Sequence, residues 1–256
     1  MNSTHFNPKT LDEVRWPVQN VQAFSTTRHH PFQQIQSYYP NDFLAFNLGD
    51  HVHDQPAKVI KNRQKLQTLF TANKKIQWLK QVHGDQVLTL ENHSISPLTA
   101  DAVITQKKDI VLAIMTADCL PILLADIKGQ EVAAIHGGWR PLALNIISKT
   151  VMKMNTANHH ICAWLGPCIS KAAFEVGEEV YTIFLQQHLE FQSAFTQIST
   201  NKYLADLHQI ASVQLQQLGI NAIYRYSACT FSMSERYFSY RRMSQTGRMA
   251  TVINRC

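Results

Sequence analysis

The 256-residue chain contains no run of eighteen apolar residues, so no segment is expected to span a membrane. Its first stretch, "MNSTHFNPKTLDEVRWPVQ", is polar and has no apolar core segment; no secretory leader is expected and the reading is cytoplasmic. Cysteine is sparse: Cys119, Cys162, Cys168, Cys229 and Cys256 are odd in number and include no CxxC pair, which argues against a disulfide framework and for free thiols in a reducing compartment. Charge is sparse too, at 16% of residues with a formal net charge of +6. Lysine and arginine are scattered, except for a basic tail of Arg236, Arg241, Arg242, Arg248 and Arg255. On charge alone, nucleic acid and an anionic small molecule account equally well for so modest an excess. The reading taken is a small-molecule pocket and no nucleic acid. No internal repeat, low-complexity linker or composition break divides the chain, so one domain over residues 1–256 is expected.

What is present is an interleaving of strand and helix patterns. Short apolar pieces, "VQAFSTTR" and "FLAFNLGDHVHD", precede "QPAKVIKNRQKLQTLF", whose apolar residues recur at helical spacing behind Pro56. "KIQWLKQVHGDQVLTLEN", "DAVITQKKDIVLAIMTADCLPILLAD" and "GQEVAAIH" read as strands broken by turns. A helix is expected from about Trp139 to Met154, then a strand in "HICAWLGPCIS". "FEVGEEVYTIFLQQHL" and "LADLHQIASVQLQQLGI" read as helices, the second stopped by Gly219, and "AIYRYSACT" as a short strand before the arginine-rich end. The class is α/β (α+β): mixed β-sheets packed between helices.

The stretch "PILLADIKGQEVAAIH" predicts two strands joined by a four-residue loop, Ile127 to Gln130. Pairing Asp126 with Glu131 puts Pro121 opposite His136 and Cys119 opposite Gly138. Side chains alternate with period two, so Cys119, Pro121 and His136 share a face. A thiol and an imidazole therefore meet at one end of a hairpin. His83, in the turn of "QVHGDQV", is a third candidate. Histidine, cysteine and histidine converging on strand ends have the chemistry of a three-ligand Zn²⁺ site with an open fourth position, and the same set binds copper. Without a metal, Cys119 and His136 suit a nucleophile and its base.

"QVHGDQV", "TADCLPILLAD", "AAIHGGWR", "LGPCIS", "FEVGEEV" and "FSYRRMSQTGR", in this order, resemble the YfiH family. That family is also known as multicopper polyphenol oxidase or laccase domain and as purine nucleoside phosphorylase, and it includes a bacterial peptidoglycan editing factor. The resemblance runs from about Phe24 to Arg248. It implies an α/β domain with a zinc site at His83, Cys119 and His136. It also implies cytoplasmic phosphorolysis of adenosine, inosine and methylthioadenosine, with adenosine deamination. The chain departs from the family's HAGWRG in reading "HGGWRP". Gly137 for alanine is expected to change little, and Pro141 for glycine falls in a first helical turn, where proline is tolerated.

A laccase proper holds several copper ions on H-x-H pairs, and this chain has one such pair, His51 and His53. An open zinc position suits water activation for deamination at C6 of adenine, with Asp118 as a candidate proton shuttle, although an Asp beside a ligand is more often one that supports the ligand or shapes a turn. Phosphorolysis asks for phosphate to be held at the ribose, and arginine forks match phosphate. The candidates are Arg28, Arg140, Arg242 and Arg248. Asn47 is a candidate for binding ribose or base, or for capping a turn. Two other readings follow from the same residues. One is a Cys–His hydrolase or amidase acting on peptidoglycan precursors. The other is a binding module with a structural zinc, for which Cys168 would be the fourth ligand. The expected protein is a monomer or weak homo-oligomer acting on nucleosides and phosphate.

Overall fold

Seven consecutive residues, Ile110–Thr116, alternate between two cores: Ile110, Leu112 and Ile114 point to one side, Val111 and Ala113 to the other. That strand marks the middle of the architecture, seen in a computed structural model that describes residues 10–31, 43 and 46–256. The expected N-terminal polar stretch up to residue 9, and Leu44 and Ala45 of "FLAFNLGDHVHD", lie outside the described residues. Ile110–Thr116 belongs to a five-stranded sheet in the order Leu11–Glu13, Val21–Thr26, Met249–Arg255, Ile110–Thr116, Lys75–Gln77. A six-stranded sheet packs on it in the order Ala222–Arg225, Ile161–Leu165, Leu120–Asp126, Val132–Gly137, Ala102–Thr105, Val87–Leu90.

Leu123, Ala125, Val132, Ala134 and Trp164 of the second sheet meet Ile110, Leu112 and Ile114 between the sheets. On its far face, Leu120, Ile122, Leu124, Ala133 and Ile135 pack under the helices Ile146–Val151, Glu178–Gln187 and Leu207–Gln217. The helix Pro56–Gln67 covers the opposite side through Leu66. Two sheets thus lie between layers of helix, as the strand and helix patterns predict. Each fully buried Leu or Ile here contributes roughly 1.5–3 kcal/mol of burial energy.

The hairpin register is the predicted one: His136 pairs with Pro121, and Asp126 donates its N–H to the carbonyl of Glu131 at 3.0 Å. Local departures have local causes. The expected helix from Trp139 to Met154 is two helices, Trp139–Ala143 and Ile146–Val151, because Asn145 adopts a left-handed conformation (φ 59°) that asparagine tolerates. In "FEVGEEV" the first residues form a strand, Glu175–Gly177, paired with Lys202–Ala205 of "KYLAD". Asp206 then caps the next helix by accepting from the Gln209 N–H at 3.0 Å. The helix ends before Gly219, at φ 77°. The largest departure is at the C-terminal end, where Met249–Arg255 lies in the middle of the five-stranded sheet. The arginines are correspondingly dispersed: Arg255 donates to the Gly129 carbonyl at 2.7 Å, and Arg236 pairs with buried Asp12.

Candidate metal centre

Cys119 occupies the corner where the chain leaves one sheet for the other, between the strands Ile110–Thr116 and Leu120–Asp126. Asp118 makes the corner at φ 98°, an uncommon conformation for a non-glycine residue. It is held there by its own bonds: its carboxylate accepts from Thr230 Oγ1 (2.6 Å), Ser239 Oγ (3.0 Å) and the Arg241 N–H (2.7 Å). The carboxylate considered for proton transfer is thus engaged in tying the arginine-rich segment to the corner. His136 lies at the end of the neighbouring strand and is buried. Gly138 follows. A Cβ there would sit 3.1 Å from Cys119 Sγ and 3.4 Å from His83 Cδ2, so the missing side chain makes room for the cluster. Gly137 is tighter than expected from sequence, since a Cβ would come within 2.7 Å of the Leu120 carbonyl oxygen.

His83 reaches the same point from a loop with a left-handed turn, φ 57° at His83 itself. Fully buried Asp101 fixes that loop. Its carboxylate accepts from the N–H groups of Val82 (3.1 Å), His83 (3.0 Å) and Gly84 (2.8 Å), and its Oδ1 lies 2.7 Å from His136 Nδ1. Gln81 clamps the loop on the other side, exchanging two 2.8 Å bonds with the backbone of Met115. The result brings the three sequence candidates together. One donor atom each from His83, Cys119 and His136 lies within 4.8 Å of the others, and the two imidazoles cross edge to face at 4.6 Å. Among the described residues Cys168 is not in this group. It is a buried free cysteine whose backbone pairs with that of Cys229, and burial pushes its thiol well above its ordinary pKa.

Electrostatics favour a thiolate facing an imidazolium, so Cys119 is ready to bind a metal whereas His136 would have to give up its proton to do so. Burial opposes ionisation of Cys119, but the charge and hydrogen bond of His136, with His83, bring its thiol down to about 6. Burial also opposes a charge on His136, yet the facing thiolate and then Asp101 raise it to about 9. Because Asp101 takes Nδ1, Nε2 is the nitrogen left for a ligand bond, the carboxylate–histidine arrangement that supports metal ligands. One thiolate and two imidazoles, exposed on the His83 side and closed on the His136 side, fit a transition ion with one position turned to solvent.

The cluster forms the floor of a cavity of about 690 Å³. Three arginines line it, each over an aromatic ring that also lines it: Arg140 over Trp139 (4.4 Å), Arg241 over Phe174 (5.3 Å) and Arg248 over Tyr240 (5.9 Å). Of the arginine candidates, Arg140 and Arg248 are therefore at the cavity, and Arg28 and Arg242 are not among its lining residues. Arg28 is buried over Phe238 and donates to the Ser234 carbonyl at 2.8 Å. Arg242 donates to the carbonyls of Thr230, Phe231 and Tyr237. Asn47 is also away from the lining; its amide bonds Gly49, Asp54 and the Arg248 N–H, which seats Arg248. Sequence reasoning missed Asp101, Arg241 and the three rings. The one available signal for Asp101 was an acid opening the apolar run "DAVIT". A larger groove of about 950 Å³, around Trp164 and Arg236, contains none of the three donors, and its buried Asp12 is satisfied by Tyr226, Tyr237 and Arg236.

This fold and this cluster define a protein of the family described as multi-copper polyphenol oxidoreductase laccase, whose family model matches residues 22–256; the chain belongs to that family. Among curated relatives, it is 41% identical over 240 residues to a Shigella flexneri protein named purine nucleoside phosphorylase YfiH, covering 93% of this chain and 96% of that one. A Haemophilus influenzae protein named purine nucleoside phosphorylase is 42% identical over 241 residues, with the same coverage. Among solved structures, Neisseria meningitidis protein NMB0706 superposes with a TM-score of 0.88 at 35% identity, covering 96% of this chain and 99% of that one. Bacillus licheniformis YfiH superposes with a TM-score of 0.86 at 25% identity, over 98% and 100%.

Proposed function

We propose that this chain is a zinc-dependent purine nucleoside phosphorylase, acting on adenosine, inosine and methylthioadenosine, which also deaminates adenosine. The observation that carries the reading is one cavity holding both a three-donor cluster and aromatic-backed arginines. The purine nucleoside phosphorylase names of relatives about 40% identical over most of the chain support the same reaction class.

Phosphorolysis breaks the bond between ribose C1′ and the base nitrogen and forms a bond from C1′ to a phosphate oxygen. The protein's task is to hold the phosphate against C1′ and shield the site from water. Arg140 suits the first task, since its exposed guanidinium makes no hydrogen bond or ion pair to another described residue. Arg248 and Arg241 add positive charge at fixed positions, as their forks are anchored on the carbonyls of Thr246 and Gly247, and of Ala173 and Glu175. Trp139, Phe174 and Tyr240 offer flat surfaces for a purine. Arg28, Arg242 and Asn47 act behind the walls, holding the segments that carry these side chains. His83, Cys119 and His136 would hold the zinc, which would supply Lewis acidity toward the bound nucleoside in both reactions and water activation for the deamination.

Copper suits the same donors, and metal analysis of protein purified without added metal distinguishes the two ions. The reading further makes the protein a cytoplasmic monomer or weak homo-oligomer. Incubation of purified protein with adenosine and phosphate, with and without chelator, tests it. Adenine, hypoxanthine or inosine should form and should disappear on chelation. Absence of all three products rejects the assignment, whereas activity that survives complete metal removal moves it to direct attack by Cys119 as a Cys–His hydrolase.

A further inference from the structure

Cleavage of a purine nucleoside leaves electrons on the base, and a donor that protonates the purine lowers that barrier. The cavity contains few groups able to give a proton near neutrality. His83, Cys119 and His136 are taken by the metal reading. Asp118 already accepts three hydrogen bonds, and the remaining cations of the lining, Arg140, Arg241 and Arg248, are guanidinium groups, a side-chain type suited to holding phosphate and not to giving a proton. Tyr240 is engaged by Arg248, whose guanidinium lies 5.9 Å from its ring centroid. His51 remains. Its exposed ring lines the cavity, in a loop distant in sequence from every metal donor.

His51 is oriented from behind. Its Nδ1 faces Asp50 Oδ1 at 3.4 Å, and Asp50 Oδ2 pairs with Arg63 Nη1 at 3.2 Å. Arg63 is itself fixed: its Nε donates to the Leu48 carbonyl at 2.9 Å, and its guanidinium lies 4.2 Å over the ring of Trp78. An anchored arginine thus holds a carboxylate, which holds one nitrogen of the imidazole and leaves Nε2 for the cavity. Asp101 and His136 repeat this relation on the cavity floor, there fully buried.

We propose that His51 is the general acid of the phosphorolysis, with Asp50 and Arg63 as positioning residues. The assignment rests on the phosphorylase reading above. As the bond from C1′ to the base nitrogen breaks, its electron pair passes into the purine, and Nε2–H of the imidazolium gives its proton to a purine ring nitrogen. A phosphate oxygen bonds to C1′. The hydrogen carried by monohydrogen phosphate returns a proton to His51, so the sum is nucleoside plus hydrogen phosphate to free base plus ribose 1-phosphate.

The experiment compares inosine with 7-methylguanosine, whose base is already cationic and leaves without protonation. His51→Ala and His51→Gln should lower kcat on inosine by about 100-fold or more, the usual weight of a general acid, while retaining most of the rate on 7-methylguanosine. Added imidazole should restore part of the inosine rate of His51→Ala. Asp50→Asn should show the same substrate bias more weakly. An equal loss on both nucleosides without imidazole rescue, or no loss on inosine, overturns the assignment. A wild-type protein that cleaves neither these two nucleosides nor adenosine in the presence of phosphate instead removes the phosphorylase reading itself, and the role of His51 with it.

Discussion

Asp101 Oδ1 lies 2.7 Å from His136 Nδ1, and the same carboxylate receives the backbone N–H groups of Val82, His83 and Gly84. One buried side chain therefore sets the position of two metal-ligand candidates that come from different parts of the chain. Hydrogen bonds to an ionised acceptor of this kind contribute roughly 1.5–3 kcal/mol each.

Asp101→Asn is expected to weaken metal binding about 10–100-fold, the usual effect of losing the support behind a histidine ligand. Its amide puts a donor where backbone N–H groups need an acceptor, so the His83 loop loosens as well. Competition against a chromophoric chelator measures the affinity. An unchanged constant would separate Asp101 from the metal site.

Cys119→Ser and His136→Ala should each reduce metal content from about one ion per chain to a small fraction, because three ligands leave none to spare. Cys168→Ser should retain the ion, since that thiol lies outside the donor group. Elemental analysis of the three variants decides the ligand set. Loss of metal in Cys168→Ser would point to a closed, structural site.

Arg140→Ala should raise the KM for phosphate about tenfold or more with little change in melting temperature, because its guanidinium makes no bond to the rest of the described protein. Arg242→Ala should show the reverse emphasis. Removing it leaves the carbonyls of Thr230, Phe231 and Tyr237 without their donor, which lowers the melting temperature first. Steady-state kinetics over a range of phosphate, beside thermal melts, separates the two.

Burial, with Arg225 nearby, holds His208 below its ordinary pKa of 6.5, and its Nε2–H donates to the Gly166 carbonyl at 2.8 Å. The folded protein keeps this ring neutral while the unfolded chain takes up a proton below about 6.5. Its stabilising contribution is thus complete above pH 6.5 and is lost as the pH falls toward the folded value. Urea midpoints of chelated protein should drop between pH 7.5 and 5.5 more steeply in the wild type than in His208→Gln. Parallel curves would remove His208 as a source of the acid sensitivity.

Much of the site was legible because its parts repeat with a strict local period. Alternation along Leu120–Asp126 and Val132–Gly137, with a short loop between them, sufficed to place Pro121 opposite His136 and to bring Cys119 to the same end. The helix break at Asn145 was not legible, as apolar spacing continues through it and only the backbone angle reports the turn. Nor was the strand Met249–Arg255: it is paired on both sides by segments distant in sequence, and it follows a stretch rich in arginine with no strand period of its own.

The amino-acid order alone determined the register of one hairpin, the pairing of a thiol with an imidazole at its end, and, through family resemblance, His83 as the third donor. Tertiary structure alone decided that Asp101 supports two of those donors, and that Arg140, Arg241 and Arg248 face the cavity while Arg28 and Arg242 stay in the walls. The reason is physical. A strand's period dictates which face a side chain takes, whereas the partner of a buried carboxylate or a guanidinium is supplied by whichever distant segment packs against it.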